Sequence, residues 1–184
     1  NHYLEHLIRY NRALEQRNRM LKDSSTDYLL FDAIEAGMDF SSRYIIEARP
    51  RNIPRLAELH QRYYGIIAGD SETVTMEYRG PLDGATDAGI ADALSRNRDR
   101  DRLLGYTAMG IHRDDIEVSV NGLPLRRTAS QGQAKTFTIA LRMAQYRFLA
   151  ESTGLKPLLL LDDIFDKLDA TRVSRIIALV ASED

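Results

Sequence analysis

The sequence has 184 residues, of which 43% are apolar and 28% are charged, and these values are typical of a folded globular chain. Its 25 basic and 27 acidic side chains give a net charge of −2, which excludes a general positive field for nucleic acid. The absence of cysteine excludes disulfides, thiolate metal sites and thiol nucleophiles. No apolar stretch approaches the roughly 18 residues of a membrane span, so we expect a cytoplasmic protein with no membrane partner.

The first third of the chain has helical apolar spacing from Tyr3 onwards. The run Ser24–Asp27 predicts the start of a second helix, since its side-chain oxygens can cap a first turn. Ala48–Pro50 predicts the end of that helix, because the residue before a proline is driven out of helical conformation. A third helix is then predicted to start at Asn52–Pro54. Each helix has one apolar face and therefore must pack on a neighbour.

The middle of the chain combines one predicted strand with one predicted helix. Polar and apolar residues alternate from Thr73 to Tyr78, as in a half-buried strand. Helical spacing returns from Ile90 to Leu104, and this segment contains the charge run Arg96–Arg102. Such a run is typical of a solvated helix face with local ion pairs, and phosphate contact is the alternative interpretation.

Beyond Gly105 the pattern becomes α/β. Apolar residues alternate from Ile116 to Val120, and the following Asn121–Gly122 favours a tight hairpin turn, because both residues tolerate positive φ. Helical spacing predicts a helix from Gln133 to Glu151. Leu158–Leu161 is apolar on both faces, which predicts a central parallel strand.

Two acidic residues, Asp162 and Asp163, directly follow the predicted leucine strand. Ligands of open α/β sheets bind at the carboxyl ends of the strands. One carboxylate at that edge can hold Mg²⁺ through its water shell, and the next can orient a water for attack on a phosphoryl group. This is the Walker B arrangement, and a plain turn after a strand is the alternative.

The segment Ala129–Gln133 immediately precedes the predicted amphipathic helix. It brings a hydroxyl, a glycine and unpaired N–H groups to the positive end of that helix, which is a geometry that binds phosphate. An ordinary serine N-cap is the alternative. Because this helix leads by a short connection to the strand before Asp162, both features are expected in one α/β unit.

These motifs together resemble an ABC-type ATPase, and more closely the RecF family of bacterial DNA replication and repair proteins. Ser130–Gln133, Asp162–Asp163 and Phe165–Asp169 are similar to the signature motif, the Walker B motif and the D-loop. Gly110–Asp115 and the pair Arg17–Asn18 fit the same family. The resemblance covers nearly the whole chain and follows the family's motif order.

The resemblance implies an α/β fold with a helical arm. Residues 106–184 would form the C-terminal part of an ABC-type, P-loop NTPase head, and residues 1–105 a mainly helical arm domain, with the place of the strand at 73–78 left open. No Gly-Lys-Ser/Thr sequence of a Walker A loop occurs in the chain. We therefore expect the phosphate-gripping half to lie upstream of this fragment.

The resemblance also implies that ATP is held between two protomers. Contact with the γ-phosphate bound by the opposite subunit would come from three residues: Ser130, Gly132 and Gln133. Asp162 would serve the Mg²⁺ ion, and Asp163 would be the catalytic carboxylate that polarises the attacking water. Asp169 would occupy the D-loop position that communicates across the dimer.

The function implied is that of an ATP-dependent DNA-binding protein in recombinational repair, replication restart and the SOS response. It would dimerise around ATP on DNA with slow hydrolysis, and the recombination mediators RecR and RecO are candidate partners. The fragment alone is expected to lack ATPase activity. A transporter-type ABC subunit and a non-enzymatic DNA or protein interaction module are the alternatives. His112 and Arg113 either order a loop or contact nucleotide or the partner protomer.

Overall fold

The computed structural model describes residues 2–69, 72–80, 89–162, 166 and 168–182. These residues are mostly helical, with one small sheet. The helices are α1 (His2–Lys22), α2 (Tyr28–Ala68), α3 (Ile90–Arg96), α4 (Arg98–Leu104), α5 (Leu125–Thr128), α6 (Gln131–Thr153) and α7 (Ala170–Ser182). The strands are β1 (Val74–Arg79), β2 (Asp115–Val120) and β3 (Leu123–Pro124), and they form one sheet in that order.

The chain forms two compact units, each made of two separate stretches. Unit 1 comprises Asn1–Arg51 and Tyr78–Asp115, and unit 2 comprises Asn52–Glu77 and Ile116–Asp184. Each unit has its own hydrophobic core. The functional division into an arm at 1–105 and an ATPase head at 106–184 is a different division, and it stays a prediction.

The predicted start of the second helix is confirmed. The Asp27 carboxylate accepts a hydrogen bond from the backbone N–H of Leu30 at 3.0 Å, which satisfies one of the free donors of the first turn of α2. Ser24, in the connection before it, has a φ of 51°, so the chain reverses there through a left-handed residue.

Helix α2 continues without interruption through Pro50 and Pro54. The predicted helix end at Ala48–Pro50 and the separate third helix are therefore wrong. Each proline removes a backbone donor and costs roughly 3 kcal/mol in a helix interior. Packing on both sides of the prolines offsets this cost, because Ile45 and Leu59 are buried in the cores of units 1 and 2 respectively.

The next two predicted elements are present with altered boundaries. The strand expected over Thr73–Tyr78 is β1, shifted by one residue at each end. The helix expected over Ile90–Leu104 is divided into α3 and α4 at Asn97, whose φ and ψ of −95° and 3° lie outside the helical range.

Unit 1 contains a fully buried arginine, Arg17 of α1. Its Nε donates to Glu35 Oε1 at 2.9 Å, and its Nη1 donates to Asp101 Oδ2 at 2.6 Å. Nη1 also donates to Thr107 Oγ1 at 2.8 Å, and Nη2 donates to the carbonyl oxygen of Leu94 at 3.0 Å. A buried charge is tolerated when it is paired and hydrogen-bonded, and the planar guanidinium reaches all four acceptors at once.

The charge run Arg96–Arg102 contributes to this interior, so the predicted solvated face with local ion pairs is only partly correct. The expected kind of local pair is present between Arg102 Nη1 and Asp99 Oδ1 at 3.0 Å. Asp101 is fully buried, and Arg98 is only 8% exposed. Arg98 Nε donates to Glu35 Oε1 at 3.0 Å. Residues three apart share a helix face, which turns Arg98 and Asp101 inward together while Arg100 remains exposed.

The predicted hairpin is confirmed in unit 2. Val120 pairs with Leu123 in an antiparallel register between β2 and β3, with Asn121 and Gly122 as the two-residue turn. Their φ values of 50° and 75° are those that a tight hairpin turn requires.

The helix predicted at Gln133–Glu151 is α6, which extends two residues further at each end and shares the core of unit 2 with α2. The C-cap Gly154 is left-handed, with a φ of 68°. The apolar face of α6 packs against residues from α2, β1, β2 and α7. The buried members of this core are Leu59, Tyr63, Tyr64, Ile67, Val74, Val120, Ile139, Ala140, Met143, Ala144, Ile176 and Leu179.

The predicted central parallel strand at Leu158–Leu161 is wrong for the described residues, since none of them pairs with this segment as a strand. Leu158 and Leu160 are 84% and 80% exposed, whereas Leu159 packs against the unit 2 core. The alternation is that of an extended backbone covered on one face only.

No helix within the described ranges is both long enough and apolar enough to cross a membrane.

Replacing Arg17 with Met is expected to lower the free energy of unfolding of the chain by about 3–5 kcal/mol, because Glu35 and Asp101 lose a buried countercharge. Replacing Arg55 with Met is the control. Arg55 pairs with Glu151 at a side-chain exposure of 43%, and an exposed pair of this kind is screened by solvent, so its loss should be much smaller. Urea unfolding measures both losses, and equal losses would contradict the structural role of Arg17.

Candidate functional site

The N-terminus of α6 is closed by a reciprocal capping box between Ser130 and Gln133. Ser130 Oγ accepts from the backbone N–H of Gln133 at 3.1 Å, and Gln133 Oε1 accepts from the backbone N–H of Ser130 at 2.9 Å. The serine N-cap considered from the sequence is therefore present. In this capping box the Ser130 oxygen acts as a hydrogen-bond acceptor. The O–H of this exposed side chain is therefore still able to donate.

Further hydrogen-bond donors accompany Ser130 at the same helix end. The backbone N–H groups of Gln131 and Gly132 lie in the first turn, where no carbonyl four residues earlier belongs to the helix. The side-chain NH₂ of Gln133 can also donate, because only its amide oxygen is used in the capping box. This donor set, at the positive end of the α6 dipole, fits a phosphate group.

Asp162 is exposed at the end of the extended leucine segment. An exposed carboxylate can serve an Mg²⁺ ion that keeps most of its water ligands. Among the described residues, no three histidine or acidic side chains are grouped closely enough to form a protein cage for a metal. Asp163, the predicted catalytic carboxylate, lies outside the described residues, as do Phe165 and Lys167 of the D-loop motif.

Asp169 caps the N-terminus of α7. Its Oδ1 accepts from the backbone N–H of Arg172 at 2.9 Å, and its Oδ2 lies 3.3 Å from Nε of the same residue. The hydrogen bond from the Arg172 backbone lowers the pKa of this carboxyl from its ordinary value, and the guanidinium charge acts in the same direction. Asp169 is thus held ionised at the start of the helix.

Ser130, Gly132, Gln133, Asp162 and Asp169 all belong to unit 2. Ser130, Gly132 and Gln133 lie at the N-terminus of α6, and Asp169 lies at the N-terminus of α7. Asp162 lies at the end of the leucine segment. These are the types of groups that bind a phosphate and a hydrated divalent cation.

The string Gly110–Asp115 has a structural part in unit 1. His112 Nδ1 is 2.9 Å from Tyr10 Oη, and its Nε2 is 3.0 Å from the carbonyl oxygen of Thr107. A neutral imidazole satisfies both contacts, accepting at Nδ1 and donating at Nε2. Gly110 has a φ of 130°, and a Cβ there would lie 2.3 Å from Tyr10 Oη. The loop-ordering interpretation of His112 therefore has direct support.

The pair Arg17–Asn18 is also structural. Asn18 Oδ1 accepts from both the backbone N–H and the hydroxyl of Thr107, each at 2.8 Å. Arg113 is exposed, and its guanidinium lies 5.1 Å from the centre of the Tyr106 ring. Both motifs therefore have structural contacts within unit 1.

Sequence reasoning missed Arg172, Glu72 and Thr136. Arg172 Nη1 donates to Thr136 Oγ1, and its Nη2 donates to Glu72 Oε1, each at 2.8 Å. Asp169 and Arg172 are three residues apart at a helix start, and this spacing could have predicted the contact between them. The contact with Glu72, 100 residues away in the chain, left no pattern in the sequence.

The chain was compared with known proteins. It is 44% identical over 179 residues to the DNA replication and repair protein RecF of Parabacteroides distasonis, a match that covers 97% of this chain and 48% of that protein. It is 40% identical over 183 residues to RecF of Bacteroides thetaiotaomicron, covering 99% of this chain and 49% of the relative. The chain is a homologue of RecF. It spans about half the length of the curated RecF proteins it matches.

Solved structures of RecF agree with this identification. One, described as the recombination mediator protein RecF-ATPrS in the RecFOR pathway, matches 97% of this chain and 50% of its own with a TM-score of 0.80 and 25% identity. Another, of RecF-ATP, matches 96% of this chain and 50% of its own with a TM-score of 0.78 and 26% identity. No protein-family model matches the chain. The family resemblance inferred from the motifs is confirmed.

The buried His60 and the half-buried His112 predict a loss of stability under mild acid. Burial lowers the pKa of His112 and of His60 from the ordinary value near 6.5. Protonation then favours the unfolded chain, so this part of the stability is complete above about pH 6.5 and is lost as the pH falls through the lowered folded-state values.

The test is the free energy of unfolding of the chain at pH 7.5 and pH 5.5. Replacing His112 with Gln, which keeps a donor for Thr107 but cannot be protonated, is expected to reduce the difference between the two measurements. The matched change of the exposed His2 to Gln should leave that difference unchanged. An unaltered difference in the His112 variant would exclude the buried neutral imidazole.

Proposed function

We propose that this chain forms the half of a RecF-type ATPase that carries the signature motif, the Walker B acids and the D-loop. Because the chain spans about half the length of its RecF relatives, the function belongs to a RecF-length protein that contains it. Two such protomers would enclose ATP, and the signature motif of one would face the γ-phosphate bound by the other.

One observation carries the proposal: Ser130 is exposed at the N-terminus of α6 with its O–H still able to donate, in a chain that is 44% identical to a RecF protein. The capping box uses Ser130 Oγ only as an acceptor, so capping leaves its O–H donor unused. The hydroxyl and the first-turn amides form an open donor set for phosphate. The solved RecF proteins that match the chain are described with ATP and ATPrS.

The proposed roles follow the chemistry of each group. Ser130, Gly132 and Gln133 would donate to γ-phosphate oxygens, and Asp162 would hold Mg²⁺ through water. Bound ATP and Mg²⁺ supply the phosphoryl group and the charge neutralisation. Asp163 is proposed as the carboxylate that orients the attacking water, and Asp169 as the D-loop contact to the partner protomer.

The matched relatives are DNA replication and repair proteins, and a matched structure is a recombination mediator of the RecFOR pathway. We therefore propose that the RecF-length protein binds DNA as an ATP-dependent dimer in recombinational repair and replication restart in the cytoplasm. RecR and RecO are the proposed protein partners. The arginine-rich run no longer favours a separate interaction module, because Arg98 and Asp101 are buried in unit 1.

Two substitutions of Ser130 separate its capping role from phosphate contact. Asp and Asn both cap helices about as well as Ser, so both variants should keep the stability of the protein within about 0.5 kcal/mol. Asp places a negative charge against the γ-phosphate, whereas Asn is neutral. In the RecF-length protein, Ser130→Asp is expected to abolish ATP-driven dimerisation, and Ser130→Asn to weaken it much less.

The measurements are ATP binding by the protomer, sedimentation with and without ATP, and thermal unfolding. Ser130→Asp should leave ATP binding by the protomer nearly unchanged, since the contact is made to the nucleotide of the partner. Equal dimerisation by the Asp and Asn variants, or equal loss of ATP binding and dimerisation, would contradict the contact across the dimer.

The 184-residue chain by itself is predicted to show no magnesium-dependent ATP hydrolysis. It contains no Gly-Lys-Ser/Thr sequence, and phosphoryl transfer in P-loop enzymes needs that loop and its lysine to hold the phosphates. Phosphate release from purified chain, measured with and without Mg²⁺, is the test. Steady turnover that survives further purification and is lost in Asp162→Asn would overturn this prediction.

A further inference from the structure

The guanidinium of Arg172 joins three segments of unit 2. Arg172 lies in the first turn of α7, and each of its nitrogens has a different partner. Nη1 donates to Thr136 Oγ1 at 2.8 Å, Nη2 donates to Glu72 Oε1 at 2.8 Å, and Nε lies 3.3 Å from Asp169 Oδ2. A planar fork with three acceptors leaves the side chain little rotational freedom.

The partners of this fork are themselves held in place. Thr136 is fully buried in α6, and the side chains of Arg172 and Glu72 are 15% and 14% exposed. Tyr64 Oη donates to the second oxygen of Glu72 at 2.5 Å. Burial, and then the Glu72 carboxylate, raise the pKa of Tyr64, so its hydroxyl stays protonated and donating.

The fork connects the two helix ends that carry predicted site residues. Thr136 is six residues after Ser130 on the same helix, which is roughly 9 Å along the axis at 1.5 Å per residue. Asp169 is the cap of α7, three residues before Arg172. A displacement of Asp169 relative to the Ser130 end of α6 therefore has to stretch a bond to Arg172.

We propose that Arg172 is a positioning residue that holds Asp169 in register with the phosphate-facing end of α6, so that both reach the partner protomer together. The inference rests on the proposed function, in which Ser130 and Asp169 act across an ATP-bound dimer. In this proposal Arg172 acts through its bonds to Asp169 and Thr136. A lysine keeps the positive charge but cannot serve three separate acceptors in one plane.

The test is Arg172→Lys in the RecF-length protein. ATP-driven dimerisation is expected to weaken about tenfold or more, as loss of charged hydrogen bonds implies, while ATP binding by the protomer changes less than about twofold. Arg175→Lys is the matched control on the same helix, since Arg175 donates to the carbonyl oxygen of Ile67 and should leave dimerisation unchanged. Thermal unfolding is measured for both variants.

Substitutions of Thr136 test whether the hydrogen bond between Arg172 and Thr136 of α6 is needed to position Asp169. Thr136→Val removes the acceptor with little change of shape and should weaken dimerisation in the same way. Thr136→Ser keeps the hydroxyl, and this variant should retain ATP-driven dimerisation. Combining Arg172→Lys with Thr136→Val should cost less than the sum of the single effects, because both break one connection.

The outcomes separate this inference from the proposed function. If Ser130→Asp abolishes dimerisation but Arg172→Lys dimerises as the unsubstituted protein does, the positioning role is wrong and the proposed function stands. A loss of dimerisation that only parallels a loss of thermal stability, or strict additivity with Thr136→Val, also overturns the positioning role. Absence of ATP-driven dimerisation in the unsubstituted protein overturns both.

Discussion

Both compact units are held together by arginines whose guanidinium groups bond to segments far apart in the chain. In unit 1, Arg17 reaches Glu35, Asp101 and Thr107 from a fully buried position. In unit 2, Arg172 reaches Glu72 and Thr136. Burying a guanidinium is unfavourable unless its donors are satisfied, so each fork constrains every segment that supplies an acceptor. The rest of each unit has to be compatible with that fixed geometry.

The candidate site residues Ser130 and Asp169 are likewise held in place by hydrogen bonds, at the N-termini of α6 and α7. The hydroxyl of Ser130 stabilises α6 as an acceptor and remains available as a donor, so one side chain sets the helix start and leaves an O–H donor at an exposed position. Asp169 likewise caps α7 and stays ionised beside Arg172. Ser130, Gly132, Gln133 and Asp169 are therefore held at helix ends, which favours precise positioning, whereas Asp162 ends an extended segment.

Elements controlled by local chemistry were predicted from the sequence. Asn121–Gly122 fixed a hairpin because its backbone needs two residues that tolerate positive φ. The serine N-cap, considered from the sequence as the alternative at Ser130, marks the start of α6 for a similarly local reason, that of helix capping. The motif order led to the RecF family, and the comparisons confirm it. The roles of Asp162, Asp163 and the other site residues stay predictions.

The sequence by itself determined the hairpin turn at Asn121–Gly122, the capped start of α6 at Ser130 and the resemblance to RecF. The tertiary structure decided whether α2 passes through Pro50, since packing on both sides outweighs a local preference. It decided that none of the described residues pairs with Leu158–Leu161 as a strand, because a strand is defined by a neighbour that the run of leucines does not specify. It also decided that Arg172 bonds to Glu72 and Thr136, since side-chain contacts over 36 and 100 residues depend on how the segments pack.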